Sequence, residues 1–250
     1  MIKIVLTGAC GKMGKVIASV VSARSDCKIV AGVDKYNDGN CSFSVYESLN
    51  DVSEEADVVI DFSNPSLLDD LLSYCTANKT AVVIATTGYD DCEKKKITDA
   101  AEKCPVFFTY NMSIGINLLA NLAKKAVSVL GDEFDIEIVE QHHNQKIDAP
   151  SGTALMLADA ISEEIDRPMK YEYDRHSKRE KRAKNEIGIH SIRGGTIVGE
   201  HEIIFAGRDE NITLSHSARS KEIFAVGAVN AAVFMADKSN GMYDMGELVK

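Results

Sequence analysis

The sequence predicts an α/β protein: an N-terminal Rossmann-like, doubly wound parallel sheet, then a second α+β lobe with a mixed or antiparallel open sheet. Three observations lead there. Short, near-continuously apolar runs alternate with amphipathic stretches over residues 1–112, a glycine-rich turn directly follows the first run, and the rhythm changes after Asn111. Strands covered by helices on both faces lose the polar alternation of half-exposed strands, so unbroken Val/Ile runs mark a parallel sheet.

Taken in order, IKIVLTG (2–8), KIVAGV (28–33), ADVVIDF (56–62), TAVVIATT (80–87) and PVFFTYN (105–111) read as strands. GKVIASVVSAR, PSLLDDLLSYCTAN and CEKKKITDAAEK between them carry helical spacing, which is the strand–helix alternation of a doubly wound sheet. Residues 114–130 form an apolar helix, and FDIEIVEQHH (134–143) alternates like a half-buried strand. A helix runs on to about Ile165, and the charged stretch DRHSKREKRAK (174–184) reads as a solvated loop, its alternative being a cationic contact for an anionic ligand through Lys178, Arg179 and Lys181. EIGIHSIRGG, TIVGEHEIIFAG and ENITLSHSA are three successive strands, and SKEIFAVGAVNAAVFMAD is a long closing helix. The order fits a dinucleotide-binding domain of 1–113 and 222–250, with 114–221 inserted as a substrate-binding and oligomerisation domain.

Composition narrows the function. The 250 residues carry a formal charge of −10, which argues against nucleic acid or an anionic membrane as general partner. An anionic ligand must therefore meet a local basic site. All six cysteines (10, 27, 41, 75, 92, 104) lie in the first half without a Cys-x-x-Cys pair. That is neither a disulfide framework nor a zinc site, and no cluster shows metal-ligand spacing. The apolar opening Ile2–Leu6 is too short for a signal peptide or a membrane span, so the expected location is cytoplasmic.

The first candidate site is Gly8-Ala9-Cys10-Gly11-Lys12-Met13-Gly14, between the first strand and its helix. Glycines here permit a tight turn and close backbone approach to a pyrophosphate, and the helix N-terminus faces the phosphates. The spacing is Gly-x-x-Gly-x-x-Gly, and its weight comes from context: Asp34 ends the second strand, where a ribose-binding acid belongs. Asp34 favours the free 2′-hydroxyl of NADH, and Lys35 beside it offsets repulsion of a 2′-phosphate enough to keep NADPH usable. ATTG, with Ala85, Thr86 and Thr87, and YNMS, with Tyr110, Asn111, Met112 and Ser113, fall at strand carboxyl ends, where such sheets bind ligands.

The second is EQHHNQKIDAPSGTA (140–154), which packs His142, His143 and Lys146 together before Pro150 turns into Ser151-Gly152-Thr153 and a helix. Two imidazoles and an ammonium supply acid chemistry, and a helix N-terminus with two hydroxyls seats a carboxylate. Alone, the segment also reads as a polar strand end and a capped helix. Adjacent His142 and His143 cannot share a face in a regular strand, so the strand must end there. His176, His190, His201 and His216 lack such neighbours and read as structural or surface residues. At this level three readings stand: a nicotinamide-dependent enzyme that binds and protonates a carboxylate substrate, another two-lobed NAD(P)-dependent amino-acid or sugar dehydrogenase, and a non-catalytic NAD-sensing protein.

With the glycine-rich turn, ATTG, YNMS and the His-His-x-x-Lys-x-Asp-x-Pro-Ser-Gly-Thr-Ala run in this order, the chain resembles the 4-hydroxy-tetrahydrodipicolinate reductases, formerly dihydrodipicolinate reductases, over its whole length. IRGGTIVGEHEIIFAG (192–207) is similar to that family's Arg-x-Gly-x-x-Val-Gly-Glu-His segment. The resemblance implies reduction of 4-hydroxy-tetrahydrodipicolinate by NADH or NADPH in lysine and diaminopimelate biosynthesis, by a homotetramer. It implies His142 as proton donor and acceptor, Lys146 as second donor, and His143 with the Gly152–Thr153 backbone on the substrate. Gly8 to Met13, Asp34, Ala85 to Thr87 and Tyr110 to Ser113 would meet the dinucleotide. Cys10, Ala85 and Met112 depart from the residues common at their positions, which bears on cofactor affinity and removes no catalytic group.

Overall fold

The computed structural model describes residues 1–249. In chain order the elements are β1 (Ile2–Thr7), α1 (Lys12–Ser22), β2 (Cys27–Val33), β3 (Ser44–Tyr46), β4 (Val58–Asp61), α2 (Leu68–Asn78), β5 (Ala81–Ile84), α3 (Asp91–Ala100) and β6 (Pro105–Phe108). There follow α4 (Ile114–Leu130), β7 (Asp135–His142), α5 (Gly152–Ser162), β8 (Lys170–Glu172), β9 (Glu186–Arg193), β10 (Gly199–Ala206) and β11 (Asn211–Ala218). The chain closes with α6 (Glu222–Met235), β12 (Gly241–Tyr243) and α7 (Met245–Leu248). It divides into two compact units, Met1–Ser113 with Glu222–Lys250, and Ile114–Lys221.

In the first unit seven parallel strands run in the order β12-β6-β5-β4-β1-β2-β3. All four residues of β4 and of β5 are buried, as expected of strands covered on both faces. Leu71, Cys75 and Ile97 of α2 and α3 pack on one face. The returning α6 packs against α1, β4, β5 and β6. Its Gly227 is required: a Cβ there would lie 1.7 Å from the Met112 carbonyl oxygen. From β1 the chain builds outward to β2 and β3, then recrosses to β4, β5 and β6. The topological switch point therefore lies between β1 and β4, where open α/β sheets bind ligands.

In the second unit the order is β11-β10-β7-β9-β8, with β10 antiparallel to both neighbours and the β7–β9 and β9–β8 pairs parallel. Ile136, Ile138, Ile189, Ile203 and Phe205 on one face form a core with α4 and α5. By length and composition the stretch Ile114–Glu133 could cross a membrane. Its Ile116, Leu119, Ala120, Ala123 and Val127 are instead buried in this core.

Candidate active site

In the first unit, the turn after β1 is held from below. The Gly8 N–H donates to the Val33 carbonyl (2.9 Å), and the Gly11 N–H donates to the Gly8 carbonyl (3.1 Å). Gly8 takes φ +70°, and a Cβ there would lie 2.2 Å from the Phe62 carbonyl oxygen. A Cβ on Gly14 would lie 2.2 Å from the Gly8 carbonyl oxygen. Turn, loop and helix thus approach closer than any side chain allows. At the N-terminus of α1, Gly11 provides no side-chain cap, and no acidic residue sits in the first turn. An uncapped helix start carrying partial positive charge fits a pyrophosphate.

Asp34, just beyond β2, accepts hydrogen bonds from the Cys10 N–H (2.9 Å) and the Tyr36 N–H (3.1 Å). Its carboxylate is thereby held against the glycine-rich turn. Lys12, Lys35, Thr87 and Tyr110 are exposed, Met13, Ala85 and Asn111 are half-buried, and Ala9, Thr86, Met112 and Ser113 are buried. The last four shape the loops from beneath; the Thr86 hydroxyl, for one, accepts the Ser63 N–H (2.9 Å). Sequence reading missed Asp61 at the end of β4. Buried, it accepts from the Thr7 and Ser63 hydroxyls (both 2.5 Å). It braces the β1 turn to the β4 loop at the switch point.

In the second unit, β7 ends at His142, which frees His143 from the strand's alternation. Register sets what surrounds His142. His142 pairs with Arg193, and Glu140 lies opposite Ser191 on β9 and His201 on β10. Glu140, two residues before His142, projects to the same face.

Its carboxylate is completely buried and accepts the His142 Nδ1 proton (2.6 Å), two bonds from the Arg193 guanidinium (2.8 and 2.7 Å), and the Ser151 N–H (3.2 Å). Burial pushes the Glu140 carboxyl up, but Arg193, with hydrogen bonds from Ser191 and His142, outweighs it and holds the group at about 2. For His142 the balance falls the other way: burial lowers its pKa despite the pull of Glu140. The ring is therefore neutral at pH 7. With Nδ1–H committed to a carboxylate, Nε2 carries the lone pair. A Cβ on Gly199 would lie 3.1 Å from that Nε2, so the glycine keeps this nitrogen clear.

Ser151 is given to the fold. Buried at 2%, its hydroxyl accepts the Ala154 N–H (3.2 Å) and pairs with His201 Nε2 (3.1 Å). It is the N-cap of α5 and not an open ligand for substrate. Gly152 is exposed with open space around its Cα, and Thr153 follows in the first turn. His201, set aside in the sequence as structural, is buried edge-on to the His142 ring at 5.3 Å between centroids. Burial first, then His142, push its pKa down to about 4, so it walls the site without charge. Lys146 Nζ donates to Asp148 (2.8 Å) in the loop before a cis Ala149–Pro150 bond.

The basic loop 174–184 ties back onto its own unit: Arg175 pairs with Glu186, Lys178 with Glu172, and Arg182 with Asp135 and Glu137. Among the described residues no group of three or more His, Cys, Asp or Glu is placed to hold a metal ion.

Two family models match the chain: "Dihydrodipicolinate reductase, N-terminus" over residues 2–112 and "Dihydrodipicolinate reductase, C-terminus" over residues 115–249. A 4-hydroxy-tetrahydrodipicolinate reductase of Caldanaerobacter subterraneus subsp. tengcongensis is 51% identical, covering 100% of this chain and 99% of its own length. One from Clostridium tetani is 50% identical, covering 98% and 96%. Among solved structures, dipicolinate-bound dihydrodipicolinate reductase from Paenisporosarcina sp. TG-14 is similar at TM-score 0.80 and 28% identity, covering 98% and 97%.

Proposed function

This chain belongs to the dihydrodipicolinate reductase family, and we propose that Glu140-held His142 and Lys146 carry the proton transfers of its reaction. It reduces 4-hydroxy-tetrahydrodipicolinate with NADH or NADPH, losing water, in lysine and diaminopimelate biosynthesis. The observation that carries the proposal is the 2.6 Å contact between Glu140 and His142 Nδ1, which leaves a neutral imidazole with a basic Nε2.

That nitrogen removes a proton from the ring carbon next to C4, while the Lys146 ammonium protonates the departing 4-hydroxyl. The C–O bond breaks, a C=C bond forms and water leaves. When bound, the reduced nicotinamide supplies hydride to C4. The His142 imidazolium returns its proton to the neighbouring carbon, so the net proton consumed is that of Lys146. Gly152 and Thr153 at the start of α5, with His143, hold the substrate carboxylates. Gly8 to Met13 cradle the pyrophosphate at the uncapped start of α1, and Asp34 takes the ribose. Ala85 to Thr87 and Tyr110 to Ser113 form the remaining loops of that seat.

The test is a coupled assay with freshly generated substrate and each reduced cofactor. NADH is expected to serve at least as well as NADPH, because Asp34 already faces the turn; a strong NADPH preference would show that Asp34 does not meet the ribose. A planar pyridine dicarboxylate should inhibit. Reduction of NAD+ by an amino acid or sugar, with no oxidation of NADH by this substrate, would overturn the assignment.

We also propose a homotetramer working in the cytoplasm, assembled through the second unit. Its sheet carries helices on one face, and on the other leaves Ile192 45% exposed, with Val139 and Ile204 half-buried. On α4, Leu118 and Leu122 are each 47% exposed. Apolar surface of this kind and an eight-residue edge strand call for a partner. Light scattering at micromolar concentration should give four times the chain mass, and a monomer would rule the proposal out.

A further inference from the structure

The glycine-rich turn carries a thiol where the sequence pattern needs only a small residue, and a second thiol faces it. Cys10 Sγ and Cys41 Sγ lie 3.9 Å apart, both half-buried. A disulfide requires the sulfurs to come about 2 Å closer. The Cys10 side is fixed: its own N–H is bonded to Asp34, and the turn around it is bonded to Val33 and closed on itself. The Cys41 side is compliant. Residues 37–40 are held by two short side-chain turns, Asn37 accepting from the Gly39 N–H and Asp38 from the Asn40 N–H, and by the surface ion pair Lys15–Asp38. Gly39 sits at φ +72° with open space around it. The remaining movement thus falls to a glycine-containing surface loop.

We propose that Cys10 and Cys41 form a dithiol modification site in the nucleotide seat, closed to a disulfide by a low-molecular-weight disulfide oxidant, and that the closed form binds dinucleotide weakly. One sulfur, as thiolate, attacks the oxidant's S–S bond, forming a mixed disulfide and releasing one thiol. The second sulfur then displaces the other half of the oxidant, giving the Cys10–Cys41 bond. Two electrons pass to the oxidant, which leaves as two thiols carrying the two protons. Burial, together with Cys10, raises the Cys41 thiol against a smaller opposing pull from Lys15. This favours the thiol form of Cys41 at neutral pH until an oxidant arrives. Closure draws the segment after Asp34 onto the turn that faces the pyrophosphate. With the turn fixed, the moving loop crowds the ribose acid from the Tyr36 side, where the Tyr36 N–H donates to the Asp34 carboxylate.

The effect on binding rests on the reading of this turn as the dinucleotide seat, and the experiment separates the two. The full-length protein is incubated with oxidised glutathione, remaining thiols are blocked with N-ethylmaleimide, and peptides are mapped by mass. NADH affinity is measured by fluorescence before and after. A joined Cys10–Cys41 peptide is expected, with an NADH dissociation constant raised at least about tenfold and restored by dithiothreitol. Cys41→Ser should bind NADH normally and show no response. Recovery of Cys10 and Cys41 both alkylated, or glutathione on exposed Cys92 alone, would overturn the proposal; so would a disulfide that leaves NADH affinity unchanged. Untreated protein that fails to bind NADH would overturn the cofactor-seat reading instead, and the peptide map would still stand.

Discussion

Replacing Lys146 or His142 by alanine is expected to lower turnover by about 10²-fold or more, the scale of a lost general acid or base. NADH affinity should stay near normal, because both residues belong to the second unit and the nucleotide cradle to the first. The two variants differ in their pH dependence. Neutral His142 is the competent form, and burial puts its pKa below the ordinary histidine value. Activity should therefore fall as pH drops through that value and hold above it. His142→Ala should lose this acid limb along with the rate, whereas Lys146→Ala should keep the limb at a lower plateau. Steady-state kcat/KM from pH 5 to 8 decides the matter. Near-full activity in either variant removes that residue from the mechanism, and an acid limb surviving in His142→Ala assigns the titration elsewhere.

The parts of this molecule that were legible in the sequence are those whose physics is local. β1, β2, β4, β5 and β6 announce themselves as Val/Ile runs because both their faces are buried. Gly8 and Gly14 of the first turn stand where close backbone approach excludes a Cβ. β3, β8 and β12 gave no signal, since each is three residues long and shows no period. In the proposed site, His142, Lys146 and the α5 start stood out because they share one short segment. Glu140 could have been found there as well: two positions before His142 on an alternating strand, it had to share the same face. Arg193, Gly199 and His201 could not. They reach His142 through the pairing of β9 and β10 with β7, and register between distant strands is not written in either strand alone. Ser151 shows the converse. Its position suggested a substrate donor, but its hydroxyl is needed by the Ala154 N–H and by His201.

Glu140→Gln is expected to damage stability and catalysis together. The carboxylate is completely buried and bidentate to Arg193. Removing one member of a buried ion pair leaves the other charge uncompensated, at about 3–5 kcal/mol; the amide keeps some hydrogen bonds, so its loss should fall at the lower end. The pH dependence has a definite sign. A carboxyl near 2 in the folded protein and near 4.5 when unfolded contributes stability that is fully present above the unfolded value. That contribution, about 3 kcal/mol, fades as pH falls from about 5 to 2. The variant's melting temperature should therefore lie well below the parent's at pH 7, with the gap closing in acid. Catalysis supplies the discriminating measurement. A glutamine oxygen cannot serve both Arg193 and His142 Nδ1 as the carboxylate does, so Nδ1–H loses its fixed acceptor and Nε2 its assured lone pair. Turnover should drop by about tenfold or more, and the acid limb of kcat/KM should move to lower pH, because a neighbouring negative charge that favours the imidazolium has gone. If the pair were only a structural brace, the melting temperature would fall while the kcat/KM profile of the folded protein kept its shape and position. Glu140 would then be a residue of the fold, and the orientation of His142 would have to come from Gly199 and His201 alone.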